Sequence, residues 1–388
     1  MNRLPLNVWI LTIAQALMMS VSSIVVFVGG LIGSELAPAS NLATLPVATI
    51  IISTAATVVP VTLLMKKIGR RKSFLLTALY SVVVSLLAAY SIHIQSFYLL
   101  CVSFFLFGAS VACIMQFRFA AMESVSSVLI PNAASAVLLG GIAAALIGPE
   151  LAIFGKDLFS IQYVGSFLLL AGIYILSFLI LTLFQNPESG QQTTNDVQRP
   201  FGQILGQRFF WVAMLSAAVG YMVMSFIMTA TPVSMHNMDG HSLQDTKIVI
   251  QSHIMAMFLP SLVAGWIIKK LGIKRMMAIG LIAYLICVAI AYSGHHFSNY
   301  WMSLVLLGIG WNFLFVGGTT LLPQAYTASE RFKVQALNDF IVFGTQAMAA
   351  LSAGWLVFEF GWETILLFTI PLIIFQLGVT WSFTMKKP

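Results

Sequence analysis

The amino-acid sequence predicts an all-α membrane protein of twelve transmembrane helices in two pseudo-symmetric six-helix bundles. Three observations predict it: a series of long apolar runs, a scarcity of charge, and a one-sided placement of the basic residues. Of 388 residues, 59% are hydrophobic and 8% charged, with a mean hydropathy of +0.96. A water-soluble domain carries about a quarter of its residues as charge. This composition makes lipid the solvent.

A helix needs about 20 apolar residues to cross roughly 30 Å of hydrocarbon. On that rule spans fall near 7–32, 42–65, 73–92, 96–118, 131–154 and 162–184. After a polar gap they resume near 209–231, 247–268, 275–293, 299–322, 334–358 and 363–385. The first run is too long for a signal peptide, lacks a small-residue cleavage site and is followed at once by another span. Runs such as Val47–Val61 and Phe167–Phe184 are apolar all round, whereas barrel strands alternate. Only helices satisfy their own backbone in such runs. Cys101, Cys113 and Cys287 fall inside spans without metal-ligand spacing and read as small buried apolar residues.

The net charge of +7 is an orientation signal and does not imply nucleic acid. With the N-terminus placed in the cytoplasm and sides alternating, 17 of the 19 basic residues lie on or near the cytoplasmic face. Only Lys156 and Lys247 fall outside. Among those inside are Arg3, Arg199, Arg208, Lys386 and Lys387. The positive-inside rule therefore expects both termini in the cytoplasm.

The stretch 186–208, rich in Gln, Asn, Ser and Thr, reads as a flexible cytoplasmic connector. It separates an N-terminal six-span bundle, 1–185, from a C-terminal one, 209–388. The bundles echo each other. Lys66-Lys67-Ile68-Gly69-Arg70-Arg71-Lys72 follows span two, and Lys269-Lys270-Leu271-Gly272-Ile273-Lys274-Arg275 follows span eight. In each loop a glycine permits a tight turn and a basic cluster fixes the side. Duplicated halves enclosing a midplane site are how many secondary transporters are built.

Here the chain resembles the major facilitator superfamily over its whole length. The family's loop motif after spans two and eight is kept at Gly69, Arg70, Arg71 and Lys72, and in the second copy at Gly265 and Gly272. It departs at the acidic position, where Lys66 and Lys269 stand, and Thr62 replaces the first glycine. The segment Gly140 to Pro149 in span five is similar to the family's glycine-rich antiporter stretch, although Glu150 and Leu151 replace its closing glycines. The arginine that many exporters of the family carry early in span four would fall at Phe104.

The resemblance implies a secondary transporter working by alternating access, with export of a drug-like or metabolite molecule favoured. Import of an organic anion or siderophore-like compound is the alternative, and a non-transporting receptor of the same fold a third. No phosphate-cradling motif supplies an ATP engine, and no enzyme motif is present. Neither a cofactor nor a resident metal is expected. The histidines at 236, 241, 295 and 296 lie in outer loops without a carboxylate frame for zinc. The expected setting is a bacterial inner membrane, with the chain working as a monomer.

Charges inside spans are costly and mark function. Protons are the expected coupling ion, carried by Glu150, His253 and Asp339. Glu150 and His253 are expected to approach each other when the outer side closes. Asp339 is expected to supply the negative charge missing at Lys66, latching the Lys66/Arg70 cluster. Gly148 and Pro149 form a candidate kink. The resemblance lines the cavity with spans one, four, seven and ten, which nominates Gln15, Gln116, Tyr221, Trp311 and Asn312 as solute contacts. Arg118 is placed either on an anionic solute group or at the interface, and its five-residue spacing from Glu123 is poor for a direct pair.

Overall fold

The computed structural model describes residues 4–39, 42, 45–186 and 199–382. Arg3, Lys386, Lys387 and connector residues 187–198 lie outside them, as do the side chains of His236 and Lys247. The described chain folds as two compact units. The first comprises Met1–Gln192 with Phe332–Phe340, and the second Thr193–Arg331 with Ile341–Pro388.

The first unit contains α1 (Leu6–Met18), α2 (Ser20–Leu36), α3 (Leu45–Ile68), α4 (Arg70–His93), α5 (Phe97–Ile114), α6 (Phe117–Glu123), α7 (Ile130–Lys156) and α8 (Val164–Leu181). Two expected spans are interrupted. Span one breaks at Met19 between α1 and α2, and span four at Met115–Gln116 between α5 and α6. The unit holds together by pairing α3 with α5, α4 with α8 and α1 with α7.

The second unit contains α9 (Phe201–Leu205), α10 (Arg208–Pro232), α11 (Leu243–Phe258), α12 (Ser261–Leu271), α13 (Ile273–Tyr292), α14 (Phe297–Leu321), α15 (Arg331–Phe360) and α16 (Trp362–Ser382). The start of α15, Phe332–Phe340, belongs to the first unit. In the second unit α14 is central and packs against α10, α11 and α13. Among the described residues ten helices are long and apolar enough to cross a membrane, and the bent pair α11–α12 makes an eleventh. α15 has 30 residues, well beyond the roughly 20 a span requires.

Local chemistry sets the boundaries. Gly69 alone separates α3 from α4, and Gly272 alone separates α12 from α13. Their φ angles are 85° and 83°, a region that strains any side chain with a Cβ. This is the physical content of the repeated Lys-Lys-x-Gly frame. Ser96 and Ser242 cap α5 and α11, accepting from the amides of Leu99 and Asp245.

Glycines also let helices touch. A Cβ on Gly108 of α5 would lie 2.5 Å from the Ser53 Cβ of α3, and one on Gly308 of α14 would lie 2.7 Å from the His253 carbonyl of α11. The two contacts occupy corresponding places in the two halves of the sequence. Gly140 and Gly148 of α7 serve the same purpose against α1 and α2, where added methyls would meet the Thr12 carbonyl at 2.4 Å and the Ser23 Cβ at 2.5 Å. Close approach of this kind is how helices associate where lipid gives no hydrophobic drive.

Candidate functional site

The break between α5 and α6 sets Gln116 and Arg118 into the first unit. There they meet Asp339, on the first turns of α15. Arg118 Nη2 lies 2.5 Å from Asp339 Oδ1, Gln116 Nε2 donates to Oδ2 at 2.6 Å, and Asn338 Nδ2 donates to Oδ1 at 2.9 Å. Asp339 is fully buried and Arg118 nearly so. The Arg118 guanidinium also lies over the Phe119 ring, 4.6 Å from its centroid. A buried carboxylate persists only when paired and hydrogen-bonded, and this one takes three donors.

A second cluster lies beside it. Arg70, the first residue of α4, grips Glu123 at the end of α6 with both Nε and Nη2, at 2.8 and 2.5 Å. Its Nη2 also donates to Gln335 Oε1 at 2.9 Å. The partners therefore differ from the sequence expectation. Asp339 bonds to Arg118 and Gln116, while Arg70 takes Glu123 and Gln335. Lys66 is exposed, and Arg118 does not snorkel. Arg118 and Glu123 each find a partner on another helix, consistent with their poor spacing for each other. Arg71 bonds to the Thr182 carbonyl and to Asn186, tying the loop to the end of α8.

In the second unit an aromatic cluster surrounds Trp311 of α14. Its ring stacks on Phe315 at 4.9 Å and 18°. Tyr221 of α10 approaches edge-on at 5.2 Å, and Phe258 of α11 does so at 5.9 Å. Phe343 of α15 meets Tyr221 at 5.5 Å. Trp311 is 1% exposed and its indole N–H has no partner. A buried indole N–H usually finds an acceptor, so this one is an open donor. The neighbouring Asn312 donates to the Met257 carbonyl and to Ser261 Oγ.

The other nominated residues are distributed as follows. Gln15 is buried in α1 with Oε1 unpartnered. His253 is fully buried. Its Nδ1–H donates to the Leu304 carbonyl at 2.8 Å, which leaves Nε2 as an acceptor without a partner. Glu150 is exposed on α7 of the first unit, and Pro149 lies inside that helix. Lys269 is exposed, and Lys270 lies over the Trp266 ring.

Two clusters escaped sequence reasoning. Arg199 and Glu330 form an ion pair at 2.6 Å, in which the arginine's hydrogen bonds hold the Glu330 carboxyl down at about 2. At the end of the second unit away from Gly272, His295 lies between Asp239 and Glu363, 2.8 Å from each. The sequence offers no carboxylate frame near this histidine; the fold supplies two carboxylates from distant positions, Asp239 from the loop before α11 and Glu363 from the first turn of α16. Among the described residues no group of three such side chains is arranged to hold a metal ion.

Comparison with known proteins agrees with this architecture. The profile of the Major Facilitator Superfamily matches residues 9–259 and 240–388. The Riboflavin transporter RfnT of Brucella anthropi is 36% identical over 95% of this chain and 93% of its own length. The Uncharacterized MFS-type transporter YddS of Bacillus subtilis is 28% identical, covering 85% of this chain and 80% of its own. Among solved structures, a bacterial homologue of the iron transporter ferroportin superposes with a TM-score of 0.73 at 13% identity, covering 98% of this chain and 99% of that one. The E. coli fucose:proton symporter FucP superposes with a TM-score of 0.69 at 15% identity, covering 98% of both chains.

Proposed function

The chain belongs to the Major Facilitator Superfamily and is a multi-pass membrane transporter; from that premise we propose that its solute is riboflavin or a closely related flat heteroaromatic. The observation that carries this reading is the 36% identity, over nearly the whole chain, to the riboflavin transporter of Brucella anthropi. The Trp311 cluster supports it physically. Riboflavin has a flat three-ring face, carbonyl acceptors along one edge and a hydroxylated tail. Rings that stack on one another, as Trp311 and Phe315 do, offer faces that a flavin can occupy in exchange. The open indole N–H suits a ring carbonyl, and burial of such a donor gives selectivity because an analogue lacking the acceptor leaves it unpaired.

Proton coupling is assigned to the Arg118–Asp339 pair. Protonating Asp339 removes the charge that Arg118 holds and loosens Phe332–Phe340 within the first unit. An ion gradient can then bias alternating access. Glu150 and His253 are secondary candidates for the same role. A bacterial inner membrane, cytoplasmic termini and a monomeric state complete the reading; the distribution of basic residues supports the orientation of the termini. Export of a drug-like or metabolite molecule is a second reading, favoured by the glycine-rich face of α7 packed on α1 and α2.

The test is riboflavin flux into and out of proteoliposomes, with and without an imposed pH gradient. Expected is saturable flux accelerated by the gradient, with Asp339→Asn losing the acceleration while retaining exchange of labelled for unlabelled riboflavin. Absence of riboflavin flux together with absence of thermal stabilisation by riboflavin sinks the assignment. Gradient-driven movement of an unrelated drug in its place favours the second reading.

A further inference from the structure

The bend between α11 and α12 has a chemical cause and a dedicated clamp. The two axes differ by 43°, and Pro260 sits in the gap. Proline has no N–H, so a donor is missing where an unbroken helix would serve the Ala256 carbonyl. Beside that gap, Asn312 Nδ2 donates to the Met257 carbonyl at 2.7 Å and to Ser261 Oγ at 2.6 Å. One side-chain amide thus bonds the last turn of α11 and the first residue of α12. Unsatisfied backbone within hydrocarbon is heavily penalised, and a polar side chain from a neighbouring helix is the usual remedy.

The placement is not incidental. Leu304, Gly308 and Asn312 follow at four-residue intervals, on one face of α14. The Leu304 carbonyl accepts from His253. Gly308 lets the backbones close, since a Cβ there would meet the Met257 nitrogen at 2.8 Å. Asn312 then reaches across the break. α14 is a rail for the bent span, and Asn312 is the point where the rail holds both pieces.

We propose that Asn312 is a positioning residue for transport, fixing the bend of the broken span through the two hydrogen bonds its amide donates. This departs from the sequence expectation, in which Asn312 contacts the solute. The transport half of the test rests on the riboflavin reading; the distance half does not, so the two fail separately.

Spin labels at Ile248 on α11 and Lys270 on α12, both exposed, report the bend in nanodiscs without any solute, in a background with the three cysteines replaced by alanine. Asn312→Leu is expected to broaden the distance distribution about twofold, and Asn312→Gln, which retains an amide donor, to broaden it less. In riboflavin flux Asn312→Leu is expected to lower Vmax about tenfold with KM within about twofold. Should that variant fail to fold, Ser261→Ala cuts the tie to α12 alone and is expected to broaden the distribution as well. An unchanged width in whichever variant folds overturns the proposal. So does a raised KM at unchanged Vmax, which would make Asn312 a solute contact.

Discussion

The Arg118 guanidinium and the Asp339 carboxylate meet at 2.5 Å with both side chains withdrawn from solvent. Removing one member of a buried pair costs about 3–5 kcal/mol, because it strands the other charge, whereas replacing both by apolar groups is close to neutral. Arg118→Ala should therefore lower thermal stability strongly. The double change Arg118→Leu with Asp339→Leu should recover most of that loss, as measured by unfolding of the purified protein in detergent. If the pair also couples protons, the stable double variant will still fail to respond to a pH gradient. Full recovery of gradient-driven flux would separate the pair from coupling.

Trp311 offers a narrower test of the solute. Trp311→Phe keeps a ring in the cluster and deletes the N–H, so it isolates the hydrogen bond from the stacking. A hydrogen bond to a neutral acceptor is worth about 0.5–1.5 kcal/mol, which corresponds to a weakening of riboflavin binding by roughly fivefold. Trp311→Ala also removes the stacking face and should weaken binding further. Equal affinities for unmodified protein and Trp311→Phe, by quenching of riboflavin fluorescence, would place the open donor outside the solute's reach.

How much of this was legible in the sequence follows the range of each signal. Span existence and the paired glycine turns are local in the chain, and Gly69 and Gly272 occupy the positive-φ turns that their motif implies. Partners were less legible. Arg118 and Glu123 lie five residues apart yet bond to residues more than 200 and about 50 positions away respectively, Asp339 and Arg70. Composition and spacing carry no information about which helices fold together at that distance. The helix breaks at Met19 and Met115–Gln116 were also hidden, since no proline or glycine stands there. The α11–α12 break does carry a local signal in Pro260, but span eight reads in the sequence as unbroken across it, from 247 to 268.

Gly272 isolates backbone strain from packing. A methyl added there meets nothing within 4 Å, yet its φ is +83°. Gly272→Ala should therefore cost about 1–2 kcal/mol through the dihedral alone. Gly140→Ala, by contrast, drives a methyl to 2.4 Å from the Thr12 carbonyl and must shift α7 against α1. Thermal unfolding of the two variants should rank Gly140→Ala as the more destabilised. The reverse order would mean that the α1–α7 contact yields more easily than the turn.

His295 gives the second unit a pH dependence whose sign is fixed by its partners. Both ring nitrogens face carboxylate oxygens, Asp239 and Glu363, at 2.8 Å. Each must donate, so the bridge requires the doubly protonated ring. The hydrogen bond to Asp239 raises the His295 pKa above its ordinary 6.5. A raised folded-state value means the stabilisation is fully present below the unfolded value, about 6.5, and fades as pH climbs through the folded value. Unmodified protein should therefore exceed His295→Gln in thermal stability at pH 5.5 and converge with it in alkaline buffer. Because the ring is 43% exposed, solvent screening keeps the difference modest and high salt should shrink it. A gap between the two proteins that widens with rising pH would mean that the neutral ring, bonded to a single carboxylate, is the species the fold selects.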